Sequence, residues 1–533
     1  MKRRDFITRT LAGAAVTSVG APLSLGLSAT SEAEKLPGRS GATAPSSGSY
    51  TRMFPGLRRK PSRQLSELEE GLIELGQAMV DRDPPLEEES QPDLPTAGYT
   101  YLGQFIDHDL TLDLTPLDGA TPDVENTPNF RTAFLDLDHV YGGGPTLSPY
   151  LYENGSRGAE RFLIGKTRDD PTLAEDLPRN AEGIALTGDP RQDENLILAQ
   201  LHVAFLKLHN AIVADSALLS ASSWYRRPGE TDFAAARRIV TWHYQWIIRH
   251  DYLRQVLDPE IFERLPALEN AKRNRPTPDF RIPVEFSVAA FRFGHSLVRD
   301  QYKTGVNHQH DHVELPELLM RTGSQGGASP ALPAEWVVSW NRFFLHRGGD
   351  TAHLNRVRKI DTQIANGLHQ LEALTTKPFT PQTPAGILRS ELPVRTLLRG
   401  GRVDLPSGEE IAREIRRRET WIRTLTQDEI VSGDHKEILT NPRYGFLGNT
   451  PLWYYVLKEA EIHKNEAGQP GRSLGPIGSY IIADVILDAL VADPGSYLSV
   501  PNWSPTIPTM IGEPSSMSDI LTFIGASTRH NNT

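Results

Sequence analysis

The chain has 533 residues, 38% hydrophobic and 23% charged, which supplies enough apolar material for a large core and argues against wholesale disorder. Its 56 Lys and Arg against 67 Asp and Glu leave a net charge of −11, which disfavours broad attraction to nucleic acid or to an anionic membrane. There is no cysteine, so disulfides, thiolate catalysis and cysteine-held zinc or iron–sulfur clusters are excluded.

The N-terminus reads MKRRDF, and a weakly apolar run of Leu, Ala, Gly, Val and Ser follows to Ala29. A basic start with paired arginines predicts a twin-arginine export signal over 1–29, and with it a periplasmic or extracellular location. The alternative, a membrane anchor, fits less well because Gly20 and Pro22 interrupt a short run. No stable membrane association is expected. Residues 30–53, rich in Ser, Gly, Ala and Thr, read as a linker. From 54 to 526 there is no second linker, repeat or low-complexity block, which predicts one large domain, with 527–533 as a tail.

Helical signals dominate that domain. Leu201, Phe205, Leu208 and Ile212 fall at i, i+4, i+7 and i+11, one helical face. Phe233 to Leu257 lacks Gly and Pro and predicts a long helix, and Phe286 to Val298 is a further apolar stretch. Ser479 to Leu490 follows Gly475-Pro476, a natural helix start. Alternating strand patterns are scarce, so the predicted class is mainly α.

Four segments carry chemistry. In Tyr101 to Leu114, YLGQFIDHDLTLDL, Gln104 and His108 are four apart and share a helical face with Asp107 beside them, while Asp109 is rotated about 100° away. A polar helix end with a satisfied histidine would look the same. In Thr132 to Gly142, TAFLDLDHVYG, oxygen donors alternate along the chain, as a hard cation such as calcium requires; solvated loop acids are the plainer reading. Thr187 to Asn195, TGDPRQDEN, offers a cation, Arg191, and a carboxylate, Glu194, just before a helix. In Phe291 to Leu297, FRFGHSL, His295 lies in an apolar stretch with Arg292 a turn earlier, a setting that suits a core histidine as well as a ligand.

Together and in this order, these segments resemble the animal haem peroxidase superfamily, in its bacterial branch. The resemblance runs through Gly103–Asp109, Thr132–Asp138 with Val140-Tyr141-Gly142, Gly188–Glu194 followed by His209-Asn210, and Phe291–His295. Leu397–Gly408 and the DPGSYL ending of Leu474–Leu498 add to it. It implies a single large helical domain with haem b between a distal and a proximal helix. His295 then matches the iron ligand and His108 the distal acid–base group, with Arg191 stabilising charge as the peroxide bond breaks. Gln104 matches the residue that holds a pocket water or halide. Asp107 and Glu194 match the carboxylates ester-linked to haem, Arg292 a residue packing near the haem, and Arg399 a partner for a haem propionate. Asp109, Thr132, Phe134 through its carbonyl, Asp136 and Asp138 match a calcium site. The activity implied is reduction of hydrogen peroxide with oxidation of a halide, thiocyanate or small phenol, and a part in the response to oxidative stress.

Two positions depart from the pattern. Asn195 stands where myeloperoxidase has a methionine, which rules out a sulfonium link to haem. Thr396 stands where an asparagine usually orients the proximal histidine. Two other readings remain in view. A fatty-acid dioxygenase on the same scaffold would carry a tyrosine three residues before the proximal histidine, where this chain has Arg292. A non-catalytic haem- or calcium-binding adhesion protein would have no need of His108, Arg191 and Gln104 together. Neither the reducing substrate nor the oligomeric state is encoded in any of these motifs.

Overall fold

The computed structural model describes residues 48–58, 65–81, 93–115, 123–154, 160–220, 229–305, 312–323, 327–349, 351, 353–371, 391–464, 469–512 and 515–526. All belong to the unit Gly41–Thr533. The export signal expected over 1–29, most of the linker and the tail 527–533 lie outside the described residues.

Among the described residues, the helices of seven or more residues are α1 (Leu65–Ala78), α2 (Gly98–Leu110), α3 (Leu196–Ala214), α4 (Asp232–Ile247), α5 (Pro259–Asn274), α6 (Leu392–Arg402), α7 (Gly408–Arg418), α8 (Leu452–Ile462), α9 (Pro476–Ala492) and α10 (Met517–Phe523). Among the described residues the only sheet is an antiparallel pair, Gln301–Tyr302 with Val313–Glu314. The mainly α expectation holds.

Two helices form the centre. The start of α3 is fixed by Asn195, whose side-chain oxygen accepts the Leu198 N–H at 2.9 Å. The helix is apolar on nearly every side and buried accordingly. It is long and apolar enough to cross a membrane, yet 83% of that window is buried inside the protein, as suits a core helix. The second, α9, begins at Pro476 after Gly475, where Glu459 from α8 accepts the N–H groups of Ile477 and Gly478 at 2.9 and 3.2 Å.

α2 packs on α3, and α3 on α4. The roll of α2 is set by Phe105, fully buried and stacked on Phe205 of α3 with ring centres 4.6 Å apart. Such a pair contributes about 0.5–1.5 kcal/mol beyond the area it buries. Phe105 shares its side of the helix with Asp109, four residues on, while Gln104 is turned about 100° from it and His108 about 60°. Gly103 lets the helix approach its neighbour: a side-chain carbon there would lie 2.6 Å from the Tyr252 hydroxyl.

Two expected helices are less regular than their apolar patterns suggested. Phe233 to Val256 is helical and Leu257 is already extended, but a π turn at Ile248–Tyr252 separates α4 from a last turn at Leu253–Val256. Phe286 to Val298 is a succession: a π turn at Glu285–Ala289, a 3-10 turn at Ala290–Phe293 and one α turn at Gly294–Leu297. Apolar content marks burial and cannot register changes of helical type. The Gly294–Leu297 turn lies against α2, so the segments bearing His108 and His295 are neighbours in space.

Candidate active site

The distal half is built on the last turns of α2. His108 is buried, its Nδ1 lies 3.1 Å from the Gln192 side-chain nitrogen, and its Nε2 is 3.7 Å from Glu194 Oε2. Burial, helped by the positive charge of Arg191, pushes the imidazole well below its ordinary value, so it is neutral. The Gln104 amide donates to Glu194 Oε2 at 2.8 Å and its oxygen accepts from Asn195 at 3.0 Å. Gln104, His108 and Glu194 therefore meet at one point, as their positions on helix and loop implied. Asp107 Oδ1 instead accepts from Thr111 at 3.1 Å. Burial pushes its carboxyl up, against the pull of Arg292 and Arg191.

Arg191 is anchored more firmly than the sequence could tell. Its guanidinium forms a 2.8 Å pair with Asp189 and also donates to the backbone oxygens of His108 at 3.2 Å and Thr111 at 2.6 Å. It thus satisfies a carbonyl that the C-terminal end of α2 leaves without an intrahelical partner. Asp189 is fully buried and takes a second guanidinium, Arg131, at 3.0 Å. Burial alone would raise its carboxyl, but Arg191 and Arg131 outweigh burial and hold it well below the usual range.

On its other side Arg131 is 3.4 Å from Asp138, which ties the distal anchor to the acidic loop. There Thr132 donates to Asp136 at 2.9 Å and its backbone N–H to Asp138 at 3.2 Å. Leu137 adopts a left-handed conformation, φ 59°, between the two aspartates. Asp109 projects from α2 toward this loop, as its rotation from His108 predicted. The ligating atoms of Asp109, Asp138 and His139 lie within 4.8 Å of one another, and Asp109 Oδ2 is buried without a hydrogen-bond partner. Burial, together with Asp136, pushes both Asp109 and Asp138 well up. Asp109, Asp138 and His139 thus form a group that could hold a metal ion.

The proximal half centres on His295. Its Nδ1 is 3.5 Å from the Thr396 hydroxyl, on α6, and its Nε2 has no partner among the described residues. The Trp453 ring of α8 stands edge-on at 6.0 Å. Burial, with Arg292 and Arg395 nearby, lowers the imidazole to about 3, so it carries the lone pair a metal needs. Arg292 donates to the Ser287 oxygen at 2.9 Å. Arg399 donates to the Thr115 oxygen at 2.6 Å and is 3.6 Å from Asp113.

Sequence reasoning missed Gln192, Asp189, Arg131, His139 and Arg395. His139 Nδ1 lies 2.9 Å from Asp109 Oδ1. Arg395 sits one turn before Arg399 on α6, and its guanidinium has no hydrogen bond or ion pair among the described residues. Like charges at i and i+4 destabilise a helix unless an anion offsets them. Asn195 was noticed only for the link it cannot make; its place before an apolar run marked it as a helix cap.

A model of the animal haem peroxidase family matches residues 117–328. Over that stretch the chain is similar to the animal haem peroxidase family. It is 30% identical over 229 residues to thyroid peroxidase of Canis lupus familiaris, covering 38% of this chain and 23% of that protein. With lactoperoxidase of Mesocricetus auratus it is 32% identical over 180 residues, 31% of this chain and 24% of that one. The match thus spans about a quarter of the length of these relatives. Among solved structures, peroxidase A from Dictyostelium discoideum superposes with a TM-score of 0.51 at 15% identity, over 89% of this chain and 91% of that one. A fatty acid alpha-dioxygenase of Arabidopsis thaliana superposes at 0.52 and 15%, over 88% and 75%. At such identities these structures establish the fold alone.

Similarity to that family points to haem, and the residues can be tested for whether they suit it. A side-chain carbon on Gly294, next to His295, would meet no atom within 4 Å although Phe293 and Ser296 on either side are buried. Open space therefore adjoins the candidate ligand. Arg292, Arg395 and Arg399 lie near one another and are cations with which the carboxylates of a haem could pair.

Proposed function

We propose that this protein is a haem peroxidase that reduces hydrogen peroxide while oxidising a halide, thiocyanate or small phenolic compound. The observation that carries the reading is the pairing of a buried neutral imidazole, His108, with a second imidazole, His295, whose Nε2 is unpartnered on the neighbouring segment. A haem held by His295 would supply the iron that draws oxidising equivalents from peroxide and passes them to the reductant. His108 would take the proton of the incoming peroxide at Nε2 and return it to the departing oxygen, one group serving as base and then acid. Arg191 contributes a fixed positive charge next to that transfer, held by Asp189 so that no rearrangement is needed when charge develops. Gln104 closes the distal side through Glu194 and Asn195. Asp107 and Glu194 are the carboxylates available for ester links to haem.

Asp109, Thr132, the Phe134 carbonyl, Asp136 and Asp138 would hold one calcium ion. Export by a twin-arginine signal to the periplasm or beyond completes the reading, as does membership of the bacterial branch. A dioxygenase is less well supported, because Arg292 stands where the radical-forming tyrosine would.

Stopped-flow mixing with hydrogen peroxide, following the Soret band, tests the proposal. General acid–base catalysis contributes about 100- to 10,000-fold, so His108→Ala slows the peroxide-dependent spectral change within that range while haem stays bound. His295→Ala loses the normal Soret band. A His108→Ala protein that reacts at the wild-type rate refutes the peroxidase reading.

A further inference from the structure

We propose that Trp246, Trp503 and Tyr497, with His250 as proton acceptor, form a second oxidation site at the protein surface, where a phenol carried on a bulky molecule gives up an electron that travels inward to the haem. The inference rests on the haem peroxidase reading above and adds a bulky class of reductant to the small ones named there.

The end of α4, the π turn after it and the segment from Tyr497 to Trp503 meet at this place. Trp246 stacks on His250, four residues on, with ring centres 3.9 Å apart. The Trp246, Tyr497 and Trp503 rings lie 5.5–5.7 Å from one another, and Trp242 joins through Trp503 at 5.5 Å. The Tyr497 backbone N–H donates to the Gln245 side chain at 3.0 Å, and its hydroxyl lies 3.4 Å from His250 Nε2. Tyr497 and Trp503 are buried, whereas Trp246 and His250 keep part of their surface and mark where a reductant can touch the group.

Packing alone asks only for rings; hydrogen bonding tells these rings apart. The Trp242 N–H donates to the Gly495 oxygen at 2.8 Å, but the indole N–H groups of Trp246 and Trp503 are buried with no partner among the described residues. A buried donor left unpaired costs stability that phenylalanine would avoid. It also has a chemical consequence. An indole that loses an electron there has nothing to take its proton, so the vacancy moves on. Tyr497 does have an acceptor. An oxidised phenol is a far stronger acid than the phenol itself, and His250, kept neutral by burial, offers a lone pair to the hydroxyl proton. The tryptophans are thus stepping points and Tyr497 the resting point. The π turn leads from here toward the haem side. Tyr252, two residues after His250, has its hydroxyl against Gly103 of α2 and its ring 6.3 Å from Phe291, which precedes Arg292.

The step balances as follows in electrons and protons. Trp246 passes one electron to haem that peroxide has oxidised, and is refilled from Tyr497 as the Tyr497 O–H bond breaks and its proton bonds to His250 Nε2. The bulky phenol returns one electron through Trp246, and Tyr497 recovers its proton from His250. The phenol loses its own proton to solvent and leaves as a phenoxyl radical.

The test uses full-length protein loaded with haem. Samples frozen after mixing with hydrogen peroxide are read by electron paramagnetic resonance, with ring-deuterated tyrosine to identify the radical. Wild type gives a tyrosyl signal that narrows on deuteration. Tyr497→Phe loses it, and so does His250→Phe, which keeps a ring on Trp246 but no proton acceptor. Oxidation of free tyramine and of tyramine coupled to dextran is then compared by dityrosine fluorescence. Trp246→Phe lowers the dextran rate relative to the free rate, and Trp503→Phe does the same, which serves if the first variant folds poorly. The inference is overturned if wild type reacts with peroxide without a tyrosyl signal, if Tyr497→Phe keeps that signal, or if the tryptophan variants keep the wild-type ratio of rates. A wild-type protein that takes up no haem, or whose haem spectrum peroxide leaves unchanged, overturns the functional reading instead.

Discussion

Replacing Asp189 with asparagine removes the one negative charge that Arg191 and Arg131 share. Taking away one partner of a buried ion pair costs about 3–5 kcal/mol, because the remaining charge stays behind uncompensated. Asp189 is fully buried, but the two arginine side chains retain 11% and 18% of their surface, so solvent relieves part of that penalty. We expect about 3 kcal/mol at neutral pH, measured as the shift in a urea unfolding curve followed by tryptophan fluorescence. Because the Asp189 carboxyl is held below its ordinary value, its contribution is complete above the normal aspartate range and fades as pH falls through that range and below it. The double-mutant cycle with Arg131→Met isolates the shared charge. Once Asp189 is neutral, Arg131 has lost its best partner, so the double variant is less damaged than the sum of the single ones by about 1–2 kcal/mol. Additivity within about 0.5 kcal/mol would refute the idea that one carboxylate holds both arginines.

Covalent attachment predicts that acid–organic extraction leaves haem on peroxide-treated wild type and frees it from the Asp107→Ala, Glu194→Ala double variant; haem that extracts freely from treated wild type rules out the esters. Calcium predicts one ion per chain by elemental analysis. Chelation should lower the unfolding midpoint as Asp109, Asp136 and Asp138 repel one another, and calcium should restore it; an unchanged midpoint with no bound calcium counts against the site. Glu459 supplies a pH test. Burial pushes its carboxyl up to about 8 despite two backbone N–H bonds, so the folded state holds the proton more tightly than the unfolded chain. Stability should then fall as pH rises from the ordinary glutamate range through about 8, by at most about 1.4 kcal/mol per unit. Glu459→Gln should flatten that slope, and an equal slope in both proteins would show that Glu459 is not its source.

The approach of Gln104 and His108 to one point at Glu194, and of Asp109 toward the acidic loop, was legible in the sequence, because helical spacing alone dictates which side chains share a face. The long apolar helices were legible for the same reason. Gln192 beside His108, and Arg131 and Asp189 beneath Arg191, were not. These contacts join positions up to 84 residues apart, and a charged loop residue looks solvated until the fold supplies its partner. Thr396 was noticed as an oddity beside His295, but the proton it sends to the Leu392 oxygen is visible only once α6 is built. The turns from Glu285 to Leu297 escaped notice because π, 3-10 and α segments can share one apolar composition.

Those turns also govern how this stretch tolerates change in length. A π turn accommodates one more residue than an α turn, so Glu285–Ala289 acts as a local insertion that the surrounding contacts absorb. Deleting a single residue there would let the segment relax to an α-helix while the turns on either side keep their places. A deletion in the 3-10 turn that follows has no such slack, and would turn His295 by about 100° about the helix axis, away from the open space beside Gly294. A one-residue deletion within Glu285–Ala289 should therefore disturb His295 less than one within Ala290–Phe293.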